Sequence, residues 1–191
     1  MRRLEIENSN TKEYYNKALV EHFRTSGLDE SDMWRIDALL SKYYGGRLLD
    51  IGCGVSPLAT MVVKYGDEVY AVDFADELIE LLKERYPYVH YAVADFNALP
   101  FEDGFFQYVV LGEILEHSAS PRRLLEEAFR VLKKGGRLAL STPLEEKEET
   151  HAYSQHLWSI GVEDIISMIG KEKILGMNII NNNIIAHATK S

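Results

Sequence analysis

Cysteine is nearly absent from this sequence, and long apolar runs are absent altogether. Cys53 is the single cysteine in 191 residues, so no disulfide can form within the chain. Such cysteine usage is typical of a reducing compartment, and we expect a cytoplasmic protein. No stretch approaches the roughly 18 apolar residues that a membrane-spanning helix needs. The polar N-terminal residues also lack the apolar segment of a signal peptide. We therefore expect neither a leader nor a membrane anchor.

Basic residues are also scarce relative to acidic ones. Lysine and arginine total 21 against 30 aspartates and glutamates, which gives a formal net charge of −9. This acidity argues against a broad nucleic-acid surface, because phosphates would be repelled. We expect a small-molecule ligand, no nucleic-acid or membrane partner, and a chain that acts as a monomer or homodimer.

Short apolar segments with a strand pattern alternate with segments of helical periodicity. This alternation predicts an α/β fold, a doubly wound Rossmann-like sheet of seven mostly parallel strands with helices on both faces. The last two strands are joined only by residues 181–183, so they must form an antiparallel hairpin. The predicted strands are 48–51, 68–73, 89–94, 106–111, 137–142, 173–180 and 184–189.

The chain divides by its pattern into residues 1–46 and residues 47–191. The first part carries two predicted helices whose aromatic side chains either form a lid over a binding site or pack on the sheet as an ordinary helix face. The second part holds the predicted sheet, and the two parts together are expected to form one compact domain. The aromatic residues concerned are Tyr14, Tyr15, Phe23 and Trp34.

The segment from Leu48 to Pro57 is typical of a nucleotide-binding corner. A buried strand runs into Gly52 and Gly54, which allow a sharp turn, and Ser56 with Pro57 then begins a helix. The dinucleotide fingerprint requires a third glycine where this chain has Pro57, and no phosphate-loop lysine follows. Asp50 directly before the glycines would repel a pyrophosphate and suits a positively charged ligand.

The run Leu48-Leu49-Asp50-Ile51-Gly52-Cys53-Gly54 resembles the first motif of class I S-adenosylmethionine-dependent methyltransferases, and the resemblance extends from about Arg47 to the C-terminus. It implies S-adenosylmethionine as cofactor and S-adenosylhomocysteine as product. In that family an acidic residue after the second strand binds the ribose, and an acidic–aromatic pair after the third holds the adenine. By this resemblance the cofactor-binding residues are Asp50, Gly52, Cys53, Gly54, Asp73, Phe74, Asp95, Phe96 and Gly112.

The segment Glu113-Ile114-Leu115-Glu116-His117 holds the candidate catalytic groups. In a helical turn, positions i, i+3 and i+4 share one face, so both carboxylates and the imidazole are expected to converge. We expect His117 and Glu113 to act in acid–base chemistry. In a simpler interpretation, Glu116 and His117 only fix the loop.

A metal-assisted alternative also remains for these residues. Metal-dependent O-methyltransferases of ubiquinone biosynthesis and small-RNA 2′-O-methyltransferases carry a similar Glu-x-x-Glu-His. We assign no metal here. In the alternative, Glu113, Glu116, His117 and either His151 or His156 would bind Mg²⁺, Mn²⁺ or Zn²⁺.

The absence of one motif limits the classes of molecule that could accept the methyl group. DNA amino-methyltransferases carry an Asn/Asp-Pro-Pro-Tyr/Phe motif where this chain has Leu111-Gly112-Glu113-Ile114. The acidity also disfavours large nucleic acids. A modest lid and the long polar loop 144–159 after the fifth strand favour methyl transfer to a small or medium metabolite, with oxygen as the acceptor atom. The alternative from another class is a non-catalytic module that only senses the cofactor.

Overall fold

The computed structural model describes residues 1–4, 11–144 and 155–191. The N-terminal part contains β1 (Arg2–Arg3), α1 (Lys12–Ser26) and α2 (Met33–Leu40). The middle of the chain contains β2 (Leu48–Ile51), α3 (Leu58–Val63), β3 (Val69–Asp73), α4 (Asp76–Arg85), β4 (His90–Val93) and β5 (Phe106–Gly112). The remainder contains a 3₁₀ turn (Leu115–His117), α5 (Pro121–Val131), β6 (Leu132–Pro143), β7 (Trp158–Ser159), α6 (Val162–Ile169), a second 3₁₀ turn (Lys171–Lys173), β8 (Ile174–Ile180) and β9 (Asn183–Thr189).

The central sheet has seven strands in the order β4-β3-β2-β5-β6-β9-β8. The strands from β4 to β6 are parallel, and β9 runs antiparallel to both β6 and β8. The strand order reverses at β2, which pairs with β3 on one side and β5 on the other. Ligands of such sheets bind beyond the carboxyl ends of the strands at this reversal. The predicted seven-stranded, mostly parallel sheet with a terminal hairpin is confirmed.

Helices cover both faces of the sheet, and alternate strand residues serve the two faces. Leu48 packs in the cluster beneath α1 to α4, whereas Leu49 and Ile51 pack beneath α5 and α6. All four residues of β2 are buried, as the apolar pattern of a strand covered on both sides requires. No described helix is long and apolar enough to cross a membrane.

The asparagines between β8 and β9 make the predicted tight turn. Asn181 and Asn182 have φ values of 48° and 60°, the left-handed region that asparagine tolerates better than most residues. Register pairs Ile180 with Asn183 across the turn. The hairpin therefore follows from local sequence.

A two-stranded ribbon departs from the sequence prediction. In β1 and β7, Arg2 pairs with Ser159 and Arg3 with Trp158, and the Leu4 amide donates to the Leu157 carbonyl at 2.9 Å. Two-residue strands so far apart in sequence show no periodicity to detect. Strand β7 lies at the C-terminal end of the segment 144–159. Residues 145–154 of that segment lie outside the described part of the chain.

The start of β6 also differs from the prediction. The strand begins at Leu132 instead of Arg137, and its register against β5 shifts between Phe106 and Tyr108. Gly135, with a φ of 75°, lies within this irregular stretch. Gly135 and Gly136 therefore lie within the irregular first part of the strand.

Candidate functional site

The carboxyl ends of the central strands open on a cavity of about 610 Å³. The volume is within the range of roughly 300–1,000 Å³ that is typical of small-molecule sites. Most of the predicted site residues meet here although they come from separate strand ends. The predicted residues that line it are Gly52, Gly54, Asp73, Phe74, Asp95, Phe96, Glu113 and His117.

A smaller cavity of about 250 Å³ adjoins the first. Gly52, Gly54 and Glu113 line both cavities, so the glycine corner lies between them. The remaining predicted cofactor residues, Asp50, Cys53 and Gly112, line only the smaller one. The predicted set is therefore divided over two connected spaces.

The glycines of the corner have left-handed backbones and serve different purposes. Gly52 has a φ of 72°, and a Cβ placed there would lie 2.8 Å from the Ile114 side chain. Gly54 has a φ of 46°, and a Cβ placed there would meet no atom within 4 Å. Gly52 thus allows the loop after β5 to pack closely, whereas Gly54 faces open space that a ligand can fill.

Asp73 at the end of β3 is tied to the glycine corner by backbone hydrogen bonds. The amide of Gly54 donates to Oδ2 and the amide of Ala75 to Oδ1, each at 3.0 Å. Burial raises the pKa of the Asp73 carboxyl, and these backbone donors oppose the rise. Each carboxylate oxygen has a second lone pair, so Asp73 can still accept two hydroxyl donors.

An aromatic wall follows Asp73. Phe74 and Phe96 meet edge to face with ring centroids 5.8 Å apart. Asp95 is exposed beside Phe96, and its Oδ1 accepts the Asn97 amide at 2.8 Å. This wall offers an apolar surface to a flat ring and a carboxylate at its edge.

Asp50 is buried in the smaller cavity and lacks a hydrogen-bond donor on one oxygen. Among the described residues, none donates to its Oδ2. Burial, with a smaller contribution from Asp73, raises the pKa of Asp50 to about 7. A buried carboxylate without a donor is costly, so its environment fits a cationic group on a ligand.

Glu113 and Arg35 are further charged residues of the smaller cavity, which Asp29 and Asp32 also line. Oε1 of Glu113 is also buried without a donor in the described part of the chain, and burial raises the pKa of this carboxyl while Arg35 lowers it. Arg35 on α2 lines the same cavity and pairs with Asp32 at 2.8 Å. Sequence reasoning missed Arg35, whose spacing from Asp32 resembles any surface pair of a helix.

Cys53 has no reactive character. Its side chain is buried, and burial raises the pKa of the thiol, which keeps it protonated. Its place in the corner is that of a small apolar filler.

The helical face predicted for Glu113, Glu116 and His117 does not form. Glu113 has a φ of 53° and precedes the 3₁₀ turn, so it does not share a helical face with the other two. Instead, Glu116, His117 and His156 bring ligand atoms within 4.8 Å of one another. The Thr142 hydroxyl donates to Glu116 Oε2 at 2.9 Å. His151, the other candidate, lies outside the described residues.

Helix α1 forms part of the large cavity's wall. Tyr15 and Leu19 line it, and the Tyr15 ring meets Phe74 edge to face at 5.2 Å between centroids. The Tyr15 hydroxyl lies 3.1 Å from Nδ1 of His117. Burial raises the pKa of Tyr15, so its hydroxyl keeps its proton. The helix therefore covers the site, whereas opening and closing as a lid stays a prediction.

The β1–β7 ribbon forms another part of this wall, which sequence reasoning missed. The Trp158 indole donates to the Ser118 carbonyl at 2.8 Å, and the Leu157 amide to the Glu116 carbonyl at 2.7 Å. Arg3 lies over the Trp158 ring at 6.0 Å from its centroid. Both side chains line the large cavity beside the loop that follows β5.

Comparison with known proteins finds a methyltransferase domain in the middle of this chain. Residues 49–140 match a family model described as a methyltransferase domain. A ubiquinone biosynthesis O-methyltransferase from Xanthomonas oryzae pv. oryzae is 37% identical over 103 residues, which are 51% of this chain and 43% of that protein. The aligned part thus spans less than half of that curated relative.

Solved structures share the fold over nearly the whole chain. The [4+2]-cyclase SpnF superposes with a TM-score of 0.80 at 16% identity and covers 98% of both chains. A SAM-dependent methyltransferase from Thermotoga maritima gives a TM-score of 0.71 at 17% identity and covers 95% of this chain and 99% of its own. Residues 49–140 therefore match the methyltransferase-domain family, within a chain that shares its fold with these solved structures.

Proposed function

We propose that this protein transfers the methyl group of S-adenosylmethionine to an oxygen of a small or medium-sized metabolite. The observation that carries the proposal is the meeting of glycine corner, Asp73, Asp95-Phe96 and His117 around one cavity. The curated relative is itself named an O-methyltransferase. Since the cyclase shares the fold, the proposal depends on these site residues and not on the fold.

The cofactor would extend across both cavities. Asp73 would accept the two ribose hydroxyls, and Phe74, Phe96 and Asp95 would hold the adenine. The amino-acid end would pass Gly52 and Gly54 into the smaller cavity. There the buried, donor-free oxygens of Asp50 and Glu113 suit its ammonium group, and Arg35 suits its carboxylate.

For methyl transfer, this chain mainly has to align the acceptor oxygen with the methyl group. When bound, S-adenosylmethionine supplies a methyl group that its sulfonium has made electrophilic. His117 would take the acceptor's hydroxyl proton as that oxygen bonds to the methyl carbon, while the electron pair of the broken C–S bond stays on sulfur. Tyr15 and the loop after β5 would hold the imidazole and the acceptor in line.

Transfer of a labelled methyl group to a panel of hydroxylated metabolites tests the proposed reaction. We expect label in at least one acceptor, and we expect His117→Asn to lower turnover while S-adenosylhomocysteine still binds. Tight cofactor binding without transfer to any acceptor would favour the non-catalytic sensor instead.

Metal-assisted O-methyl transfer is the second candidate. The observation in its favour is the approach of Glu116, His117 and His156 ligand atoms to within 4.8 Å. A carboxylate with two imidazoles suits Zn²⁺ or Mn²⁺, and with added waters Mg²⁺. A metal there would help to deprotonate the acceptor hydroxyl beside the methyl-transfer site.

We further propose that the protein acts in the cytoplasm as a monomer or homodimer. Its one cysteine is buried, as expected for a chain that needs no oxidising compartment.

A further inference from the structure

Arg3 is a cation on the wall of the large cavity to which the methyl-transfer chemistry gives no role. Its one described partner is the Trp158 ring, and within the described chain no carboxylate lies within ion-pair distance of it. The other wall cation, Lys12, is already paired with Asp76 at 2.6 Å. In a protein with a net charge of −9, a guanidinium that lines a ligand cavity and that no carboxylate among the described residues compensates favours an anionic ligand.

The position of Arg3 places this cation on the acceptor side of the cavity. Arg3 is held in the ribbon against Trp158, which donates to the Ser118 carbonyl directly after His117. The residues assigned to adenine and ribose come from the ends of β3 and β4 instead. A group bound by Arg3 would therefore belong to the methyl acceptor.

The cavity that Arg3 lines also has apolar and aromatic lining residues. Leu19, Ile114, Leu157 and Trp158 are among them, and Tyr15, which also lines the cavity, contacts Phe74 edge to face. The cofactor's nucleoside would share the 610 Å³ with the acceptor, which favours a small acceptor. A flat ring would bury its faces against these side chains.

We propose that the methyl acceptor is a small hydroxylated aromatic molecule that carries a carboxylate, and that Arg3 binds this carboxylate. The inference rests on the proposed function, whose acceptor it specifies. A guanidinium can give two parallel hydrogen bonds to a carboxylate, and it can do so while it lies over an aromatic ring, as Arg3 lies over Trp158. The negative acceptor would also be attracted by the positive sulfonium of the cofactor.

Binding to the protein saturated with S-adenosylhomocysteine tests this inference without requiring turnover. The probes are 2-, 3- and 4-hydroxyphenylacetate and their amides, which keep the ring and remove the charge. By calorimetry we expect at least one acid to bind roughly 10- to 100-fold more tightly than its amide, as a charged hydrogen bond predicts. Arg3→Gln should remove this preference and leave the binding of the amide unchanged.

Arg2→Gln is the matched control, since Arg2 lies on the same strand but does not line the cavity. It should keep the preference for the acid. Equal binding of acids and amides, no binding of either, or an equal loss with Arg3→Gln and Arg2→Gln would overturn the inference. Failure of the proposed function has a different signature, because S-adenosylhomocysteine would then not bind or no acceptor would be methylated.

Discussion

The hydroxyl of Tyr15 lies 3.1 Å from Nδ1 of His117 and so joins the N-terminal helix to the loop after β5 across 102 residues of sequence. The same nitrogen lies 3.2 Å from the Gln155 carbonyl, and the Tyr15 ring rests edge-on against Phe74. One side chain therefore contacts both the cofactor wall and the imidazole proposed to act as base. We therefore propose Tyr15 as a positioning residue for that base.

Tyr15→Phe should slow methyl transfer without weakening cofactor binding. Phenylalanine keeps the ring against Phe74 but removes the hydrogen bond, which is worth about 0.5–1.5 kcal/mol, so kcat should fall roughly 2- to 13-fold. The pH profile of kcat should shift as well, since the imidazole loses a partner. Steady-state kinetics against pH provides the measurement.

Tyr14→Phe is the control for this variant, because Tyr14 is exposed and does not line the cavity. It should leave kcat and the pH profile unchanged. Identical kinetics for both variants would contradict a positioning role for Tyr15.

Asp73→Ala should weaken S-adenosylmethionine binding by about 1–3 kcal/mol, roughly 5- to 150-fold, because the ribose hydroxyls would be left unpaired. Asp73 also accepts the amides of Gly54 and Ala75, so urea unfolding must show that the variant is folded at the assay temperature. Asp37→Asn, at an exposed position on α2, serves as the control. An unchanged affinity in folded Asp73→Ala would mean that the ribose lies elsewhere.

Cofactor affinity should rise with pH through neutrality because of Asp50. In the free protein the pKa of Asp50 is raised to about 7 by burial, so much of the carboxyl is protonated below that pH. An ammonium favours the ionised form, which lowers the pKa of Asp50 in the complex and releases a proton on binding. Affinity should thus increase from about pH 5.5 through pH 7 and level off at about pH 8, where the carboxyl of the free protein is ionised.

Calorimetry in buffers of different ionisation enthalpy measures this proton release directly. Asp50→Asn cannot ionise and should show weaker binding with a flatter pH dependence over the same range. Binding by the unaltered protein that is independent of pH from 5.5 to 7, with no proton released, would contradict the assignment of Asp50 to the ammonium.

Chelation separates the two candidate mechanisms at the loop after β5. If a metal sits between Glu116, His117 and His156, EDTA should abolish turnover and added Mg²⁺, Mn²⁺ or Zn²⁺ should restore it. Glu116→Gln and His156→Gln should then lose activity that these ions cannot restore, whereas His90→Gln at an exposed site on β4 should not. Turnover that EDTA leaves unchanged would exclude the metal-assisted candidate.

Local sequence determines the parts of this fold that short-range physics controls. The buried run of β2 followed by Gly52 and Gly54 specifies strand and turn within seven residues. Asn181 and Asn182 supply the left-handed turn of the last hairpin. Because the ends of parallel strands meet at one edge of a sheet, the order of the predicted strands suffices to place Asp73 and Asp95 beside the corner.

The features that escaped prediction depend on contacts between distant segments. The ribbon of β1 and β7 has two residues per strand, too few for a periodic pattern. Glu113 takes a positive φ that its residue type does not suggest, and it therefore lies outside the helical turn that holds Glu116 and His117. The charges of Arg35 and Arg3 resemble ordinary surface charges until tertiary packing places them on cavities.

The glycine corner and Asp73 are proposed to form a site for S-adenosylmethionine. Titration of the purified protein with S-adenosylmethionine in a calorimeter tests this proposal most directly. The predicted result is saturable binding of one cofactor molecule per chain that Asp73→Ala weakens. Absence of saturable binding by the folded protein would contradict the account.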